Sequence, residues 1–230
     1  NPFDEIAVEE ALRIASAQNG EVVTITIGPK EASQQIRSVL AMGANRGIHI
    51  ITDGYENNFD PDTIARMIQK VVEQEKPDLI LTGKLATDDE SGMVGQLLAG
   101  YLDYPQITFV SKEANLESEE EKAQKPGILI EGKKVTAFRE VDGGLEVLEF
   151  EMPGIISVEL RLNLPRYASL PNIMKAKKKE IKEIPVSSLG IDITPKLKVL
   201  QMSTPPKRTA GQIVSDVPTL MNKLTAAKVL

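Results

Sequence analysis

The chain reads as an α/β protein: a doubly wound, mostly parallel sheet with added antiparallel strands and a C-terminal arm. Three observations predict this. Short β-branched runs alternate with segments of helical periodicity from Asn1 to Leu102, the pattern of a parallel sheet covered on both faces. Turns bearing glycine or proline stand where two of those runs end, at Gly28-Pro29 and Gly83-Lys84. Beyond Tyr104-Pro105 the pattern changes to short strands separated by hairpin signals, and after Ile184 few core-forming runs remain.

Taken in order, Asn1-Pro2-Phe3-Asp4 predicts a helix start, with Asn at the N-cap, Pro at the first helical position and an acid in the first turn. Phe3, Ile6, Ala7, Ala11, Ile14 and Ala15 recur at helical spacing until Gly20. Glu21 to Ile27 predicts a strand, Glu31 to Met42 a helix with Gly43 as its C-cap, and Gly47 to Thr52 a second strand. Asp60-Pro61 caps a third helix whose buried stripe is Ile64, Ile68, Val71 and Val72, and Lys76-Pro77 ends it. Leu79 to Thr82 predicts a short buried strand stopped by Gly83. A polar loop follows, and Ser91-Gly92-Met93-Val94-Gly95 opens a helix through Leu102. Gln106 to Ser111 predicts a strand, and Glu113 to Lys125 an acidic, solvated connection. Ile128 to Ile130, Val135 to Val141 and Leu145 to Phe150 predict antiparallel strands around Glu131-Gly132-Lys133 and Asp142-Gly143-Gly144. Pro153 ends the third, and Ile155 to Leu160 predicts a buried strand.

Residues 163–182, NLPRYASLPNIMKAKKKEIK, differ in character. Pro165 and Pro171 disfavour regular structure around Tyr167, Leu170, Ile173 and Met174, and Lys175, Lys177, Lys178, Lys179 and Lys182 follow. Two readings stand side by side. One is a loop leading into a solvated helix. The other is a proline-stiffened loop whose apolar side chains and positive charge anchor and steer an acidic partner. The tail from Ile184 to Leu230 predicts an extended arm ending in a short helix from Val217. The chain so divides into an α/β domain over residues 1–183 and an arm over residues 184–230 that lies on the parent domain or on a second subunit.

Composition narrows the function. A net charge of −6 argues against general nucleic-acid binding. The absence of cysteine excludes disulfides, thiolate metal sites and a cysteine nucleophile. The single histidine, His49, lies in a strand-like run and reads as structural, and no nucleophile elbow accompanies it. No catalytic or metal-binding set is expected, so the chain reads as a binding or carrier protein before a catalyst. No apolar run approaches the roughly 18 residues of a membrane span, and no signal peptide is visible. The acidic composition leans towards a bacterial cytoplasm, with the mitochondrial matrix as the eukaryotic counterpart.

One stretch points to a ligand. From Leu79 to Leu98 a strand, a glycine-bearing loop and a helix N-terminus follow one another, an arrangement whose free N–H groups and dipole suit a phosphate. It is not a Walker A loop, because no Gly-Lys-Ser/Thr closes it. Gly28-Pro29 falls on the same rim, where doubly wound sheets bind ligands, and so does Asn1 to Asp4 if a strand precedes it. Asp88-Asp89-Glu90, just ahead of the helix, would repel a triphosphate without a metal but tolerate one phosphate held by backbone N–H groups. They equally serve to complement the helix dipole.

Several motifs together resemble the beta subunits of electron transfer flavoproteins. They are NPFDEIAVEEALR at the start, Ala137 to Glu146 (AFREVDGGLE) followed by Pro153-Gly154-Ile155-Ile156-Ser157, LRLNLPRYASLPNIMKAKKK, and PPKRTAG in the arm. The resemblance covers essentially the whole chain, and the family pattern places a first strand and a hairpin region ahead of Asn1. It implies an adenine-nucleotide-binding α/β fold and a heterodimer with an alpha subunit that carries most of the redox-active FAD, while the beta subunit holds a structural AMP. The AMP loops map onto Asn1, Pro2, Phe3 and Asp4, onto Ile27, and onto Gly83, Lys84, Leu85, Ala86, Thr87, Asp88, Asp89, Glu90, Ser91, Gly92, Met93 and Val94. Phe3 would also approach the partner's flavin. Tyr167, Leu170, Pro171, Ile173, Met174, Lys175 and Lys178 map onto the partner-recognition loop, with Leu170 as the anchor. Arg139 and Glu140 match the position that contacts the flavin domain.

The implied function is electron acceptance from acyl-CoA and other flavin dehydrogenases and delivery to a quinone oxidoreductase of the respiratory chain. A bifurcating relative with a second FAD in place of AMP is the nearest alternative. Such versions often carry proline after Val-Gly, where Gln96 stands here. An adenine-nucleotide hydrolase or adenylating enzyme, and a structural module with an empty rim, complete the alternatives.

Overall fold

Alternating apolar runs and amphipathic helices produce an α/β body whose strands are laid against helices on both faces. The computed structural model describes residues 1–55, 59–112, 127–194, 196, 200–208 and 210–230. It divides into two compact units, Asn1–Lys196 and Leu197–Leu230. The expected acidic connection over residues 113–125 and parts of the arm lie outside the described residues.

In the first unit the order is α1 (Pro2–Gln18), β1 (Val23–Gly28), α2 (Ser33–Met42), β2 (Arg46–Ile51), α3 (Pro61–Glu75), β3 (Leu79–Gly83), α4 (Val94–Leu102), β4 (Gln106–Val110), β5 (Ile128–Glu131), β6 (Lys134–Val141), β7 (Gly144–Glu151), β8 (Gly154–Val158), α5 (Leu170–Ala176) and β9 (Ile181–Pro185). The second unit holds α6 (Val217–Ala226). Helix ends follow the chemistry of their sequences. The Thr63 N–H donates to Asp60 Oδ1 at 2.8 Å, with Pro61 in the first turn of α3, and Gly43 ends α2 at φ 143°.

The strands form two groups. β1, β2 and β9 make a parallel three-stranded sheet. β3, β8 and β4 pair in parallel, and β4 continues antiparallel into β6, which carries β5 and β7 on its two sides. The two hairpins turn at Gly132-Lys133 and Asp142-Gly143, as their sequences predict. The expected sheet is thus α/β and mostly parallel at its centre, with antiparallel strands added at one edge.

Successive residues of β8 show the double winding. Ile156 packs with Ile6 and Ala7 of α1, whereas Ile155 packs with Ala65 of α3 and Leu98 of α4, because neighbouring side chains leave a strand on opposite faces. In the other sheet Ile48 and Ile50 of β2 pack on Met67 and Val71 of α3. Gly47 meets α2, where a Cβ would stand 2.4 Å from Ile36 Cγ2. α1 serves both groups, since its Leu12 joins the cluster formed by Ile36 and Leu40 of α2.

Four elements depart from the sequence expectation. α4 begins at Val94 rather than at Ser91, because Glu90 and Gly92 adopt φ values of 51° and 57° that a helix excludes. Leu170 to Ala176 is helical where two prolines suggested irregular backbone. Pro171 sits in the first turn, where its missing N–H does no harm, and Ser169 caps the helix through the Asn172 N–H. The lysines after it do not extend a solvated helix. The chain turns and Ile181–Pro185 enters the sheet as β9, parallel to β2. Finally, residues 184–194 belong to the body and not to an arm, with Val186 and Leu189 buried against α3 and β2, and Lys196 paired with Asp62.

In the second unit, the Thr219 N–H donates to Asp216 Oδ1 at 2.7 Å and starts α6. Leu200, Met202 and Ile213 are exposed.

Candidate functional site

The rim is assembled from the start of α1 and the end of β3. The Gly83 N–H donates to Asp4 Oδ1 at 2.9 Å, and the Asn1 amide donates to Asp4 Oδ2 at 2.8 Å and to the Leu85 carbonyl at 2.9 Å. Asn1 therefore ties the helix start to the loop instead of capping its own helix. The approach is close: a Cβ on Gly83 would lie 2.5 Å from Asp4 Oδ1 and 2.7 Å from Phe3 Cβ. Only glycine fits there.

Beyond Gly83 the loop is held by local bonds. The Lys84 N–H donates to the Val158 carbonyl at 3.0 Å, and its ammonium pairs with Glu159 at 2.9 Å and lies 4.9 Å from the Phe109 ring centroid. Burial alone would raise the Glu159 carboxyl, but the Lys84 and Leu160 hydrogen bonds outweigh it and hold it below its ordinary range. The Glu90 N–H donates to the Ala86 carbonyl at 3.0 Å, and the Ser91 N–H to Asp89 Oδ1 at 3.0 Å. The acids of residues 88–90 thus shape the loop and leave the start of α4 without a capping side chain, as Met93 provides none.

That helix start lies against β3. A Cβ on Gly95 would stand 3.0 Å from Thr82 Oγ1, and the Thr82 hydroxyl is buried without a hydrogen-bond partner among the described residues. An uncapped helix start beside an unsatisfied hydroxyl leaves hydrogen-bonding groups of the kind that receive an anion such as a phosphate. Ile27 stands at the end of β1 in the neighbouring sheet, paired in register with Ile50. His49 is fully buried in β2 with Nε2 3.1 Å from the Gly28 carbonyl, a structural position.

The second candidate region is the loop around α5. Leu170 is 79% exposed and Tyr167 fully exposed, and Leu164, Pro171, Ile173 and Met174 are exposed beside them. Lys175, Lys177 and Lys178 are exposed as well. Lys179 is not part of that outward field: its ammonium donates to the Leu40 and Ala44 carbonyls, and desolvation lowers its pKa. Lys182 stands 4.0 Å from Glu75. The positive surface is narrower than the five lysines of the sequence suggest.

Arg139 and Glu140 lie on β6. Arg139 Nε donates to Glu146 at 2.6 Å and Nη1 to Thr108 at 3.2 Å. Glu140 Oε2 stands 2.5 Å from Arg161, an ion contact without hydrogen-bond alignment. Sequence reasoning did not single out Glu9, Glu10 and Arg37, which support the α5 loop from below. The available signal was two acids among the apolar positions of the first helix, Ile6, Ala7 and Leu12.

A protein with this α/β fold, a rim built from the start of α1 and the end of β3, and an exposed apolar loop has counterparts. Residues 1–189 match the model of the electron transfer flavoprotein domain, and the chain belongs to that family. Among its relatives, the electron transfer flavoprotein subunit beta of Bos taurus is 45% identical over 226 residues, covering 97% of this chain and 83% of the relative. The subunit beta of Bradyrhizobium diazoefficiens is 47% identical over 225 residues, and the mitochondrial subunit beta of Arabidopsis thaliana 46% over 226, each with the same coverage.

Proposed function

We propose that this chain acts as the small subunit of a heterodimeric electron transfer flavoprotein, holding AMP at its rim and presenting the α5 loop to electron donors. Asn1 to Asp4, Ile27, Thr82 and Gly83 to Val94 would hold the nucleotide, with its phosphate at the start of α4. AMP there is a structural pin, tying α1 to the end of β3. FAD, held mainly by the alpha subunit, supplies the electron-accepting chemistry when bound. This chain's own residues recognise and orient. Leu170 fills an apolar pocket on an acyl-CoA or related flavin dehydrogenase, Lys175 and Lys178 steer the encounter, and Arg139 and Glu140 face the domain that carries the flavin. The arm over residues 197–230, whose exposed Leu200, Met202 and Ile213 lack cover, packs on the alpha subunit. Electrons pass on to a quinone oxidoreductase.

The observation that carries this reading is the exposure of Leu170 at the start of a capped helix, with exposed lysines directly behind it. A large apolar side chain left in water on a folded loop marks a contact surface, and an apolar anchor beside steering charge suits fast, weak capture of a diffusing partner. The test is nucleotide extraction from the assembled heterodimer, followed by mass spectrometry. One AMP and one FAD per heterodimer are expected, and two flavins would overturn the assignment of AMP.

A further inference from the structure

Tyr167 and Ile173 of the loop line a groove of about 700 Å³ together with Glu5, Met42 and Lys177. On its inner side the loop packs Ala168 and Ala176 against the cluster of Leu12, Ile36 and Leu40, and polar ties fix it at its two ends. At the entry, Arg166 forks onto the Glu9 carboxylate at 2.7 and 2.8 Å, and its backbone N–H reaches the same carboxylate at 3.1 Å. The Asn163 amide donates to the Ile6 carbonyl at 3.1 Å and to Glu10 at 3.0 Å. At the exit, Arg37 Nη1 donates to the Ala176 and Lys179 carbonyls at 2.7 Å each.

Every tie comes from a rigid element beneath the loop. The side chains of Glu9 and Glu10 are only 8% and 2% exposed, so no partner can reach them. Burial would raise the Glu9 carboxyl, but its bonds to Arg166 outweigh that and hold it below the ordinary carboxylate range. A bidentate guanidinium–carboxylate pair constrains orientation as well as distance.

We propose that the Glu9–Arg166 fork and Arg37 are positioning residues for donor docking: they hold the 163–179 loop in its docking geometry before the donor arrives. The proposal rests on the reading of Leu170 as the docking anchor. Without the ties the same side chains remain on the surface, but each encounter must first order the loop, and that loss of entropy weakens capture. Electron transfer within the captured complex is untouched.

The test uses the heterodimer reconstituted with its alpha subunit and an acyl-CoA dehydrogenase reduced by its own substrate, with the donor concentration varied. Glu9→Gln and Arg166→Ala are each expected to raise the apparent KM for the donor roughly fivefold with kcat changed less than twofold. The double variant should be no worse than either single one, Arg166→Lys should recover part of the loss, and amide exchange over residues 167–174 should accelerate. If Arg166→Ala raises KM while Glu9→Gln leaves it at the wild-type value, Arg166 touches the donor directly and the positioning role is wrong. Leu170→Ala runs in parallel. Should it leave KM unchanged, the docking reading itself fails, whereas a raised KM for Leu170→Ala alone refutes only the positioning role. If Arg166→Ala does not assemble, Glu9→Gln and Arg37→Lys decide by the same criteria.

Discussion

At the rim, Asn1, Asp4, Gly83 and Leu85 meet through backbone groups and short side chains that face one another. The α5 loop has the opposite organisation, with its polar atoms turned inward to Glu9, Glu10 and Arg37 and its apolar atoms turned out to water. The first arrangement fixes two elements at a close approach of their backbones, because its donors and acceptors already pair with one another. The second suits a partner that comes and goes, since the outer face carries little that must be rearranged on contact. Holding and presenting thus use the same bonds in opposite directions.

This contrast can be broken at either end. The largest effect is expected at the rim. Gly83→Val would force a side chain into Asp4 and Phe3, lowering stability by about 2 to 3 kcal/mol and emptying the site of nucleotide, as chemical denaturation and nucleotide content would report. Leu170→Ala should leave stability within about 0.5 kcal/mol of the parent while slowing reduction by a dehydrogenase about tenfold, a typical loss for an interface anchor. Unfolding instead of slower capture would mean that Leu170 is core.

Charge gives a smaller effect. Lys175→Ala with Lys178→Ala should reduce the association rate by roughly threefold at low ionic strength and by almost nothing at 1 M salt, where the screening length is about 3 Å. Lys179→Ala should instead loosen the end of α2, because its ammonium serves the Leu40 and Ala44 carbonyls. The smallest effect concerns pH. The Glu9 carboxyl is held below its ordinary value of 4.5, so its contribution is complete above that pH and is lost as the pH falls further, through the folded-state value. Amide-exchange protection over residues 163–170, taken relative to the intrinsic rate at each pH, should therefore fall below pH 4.5 and stay level between pH 5 and 8.

How much of this was legible from the residues differs between the regions. The alternation of Val- and Ile-rich runs with helical stripes foretold the sheet, and the hairpin turns at Gly132 and Gly143 fell where their chemistry put them. The rim loops were locatable because a strand end, a glycine and a helix start are consecutive in the chain. The helix at Leu170 was hidden because proline disfavours a helix interior yet fits a first turn, and only the Ser169 cap distinguishes the two. β9 was hidden because Ile181–Pro185 carries two charges in five residues; its strand character comes from pairing with β2.

The amino-acid order alone determined the class of fold, the absence of thiol chemistry, and the residues from which a rim and a contact loop are made, since these follow from periodicity, composition and local turn preferences. Tertiary structure decided which lysines point outward, that Glu9 and Arg37 lie under the loop, and that Gly83 is the point where two elements touch. Those contacts join positions up to 157 residues apart, and no local preference encodes a meeting that distant.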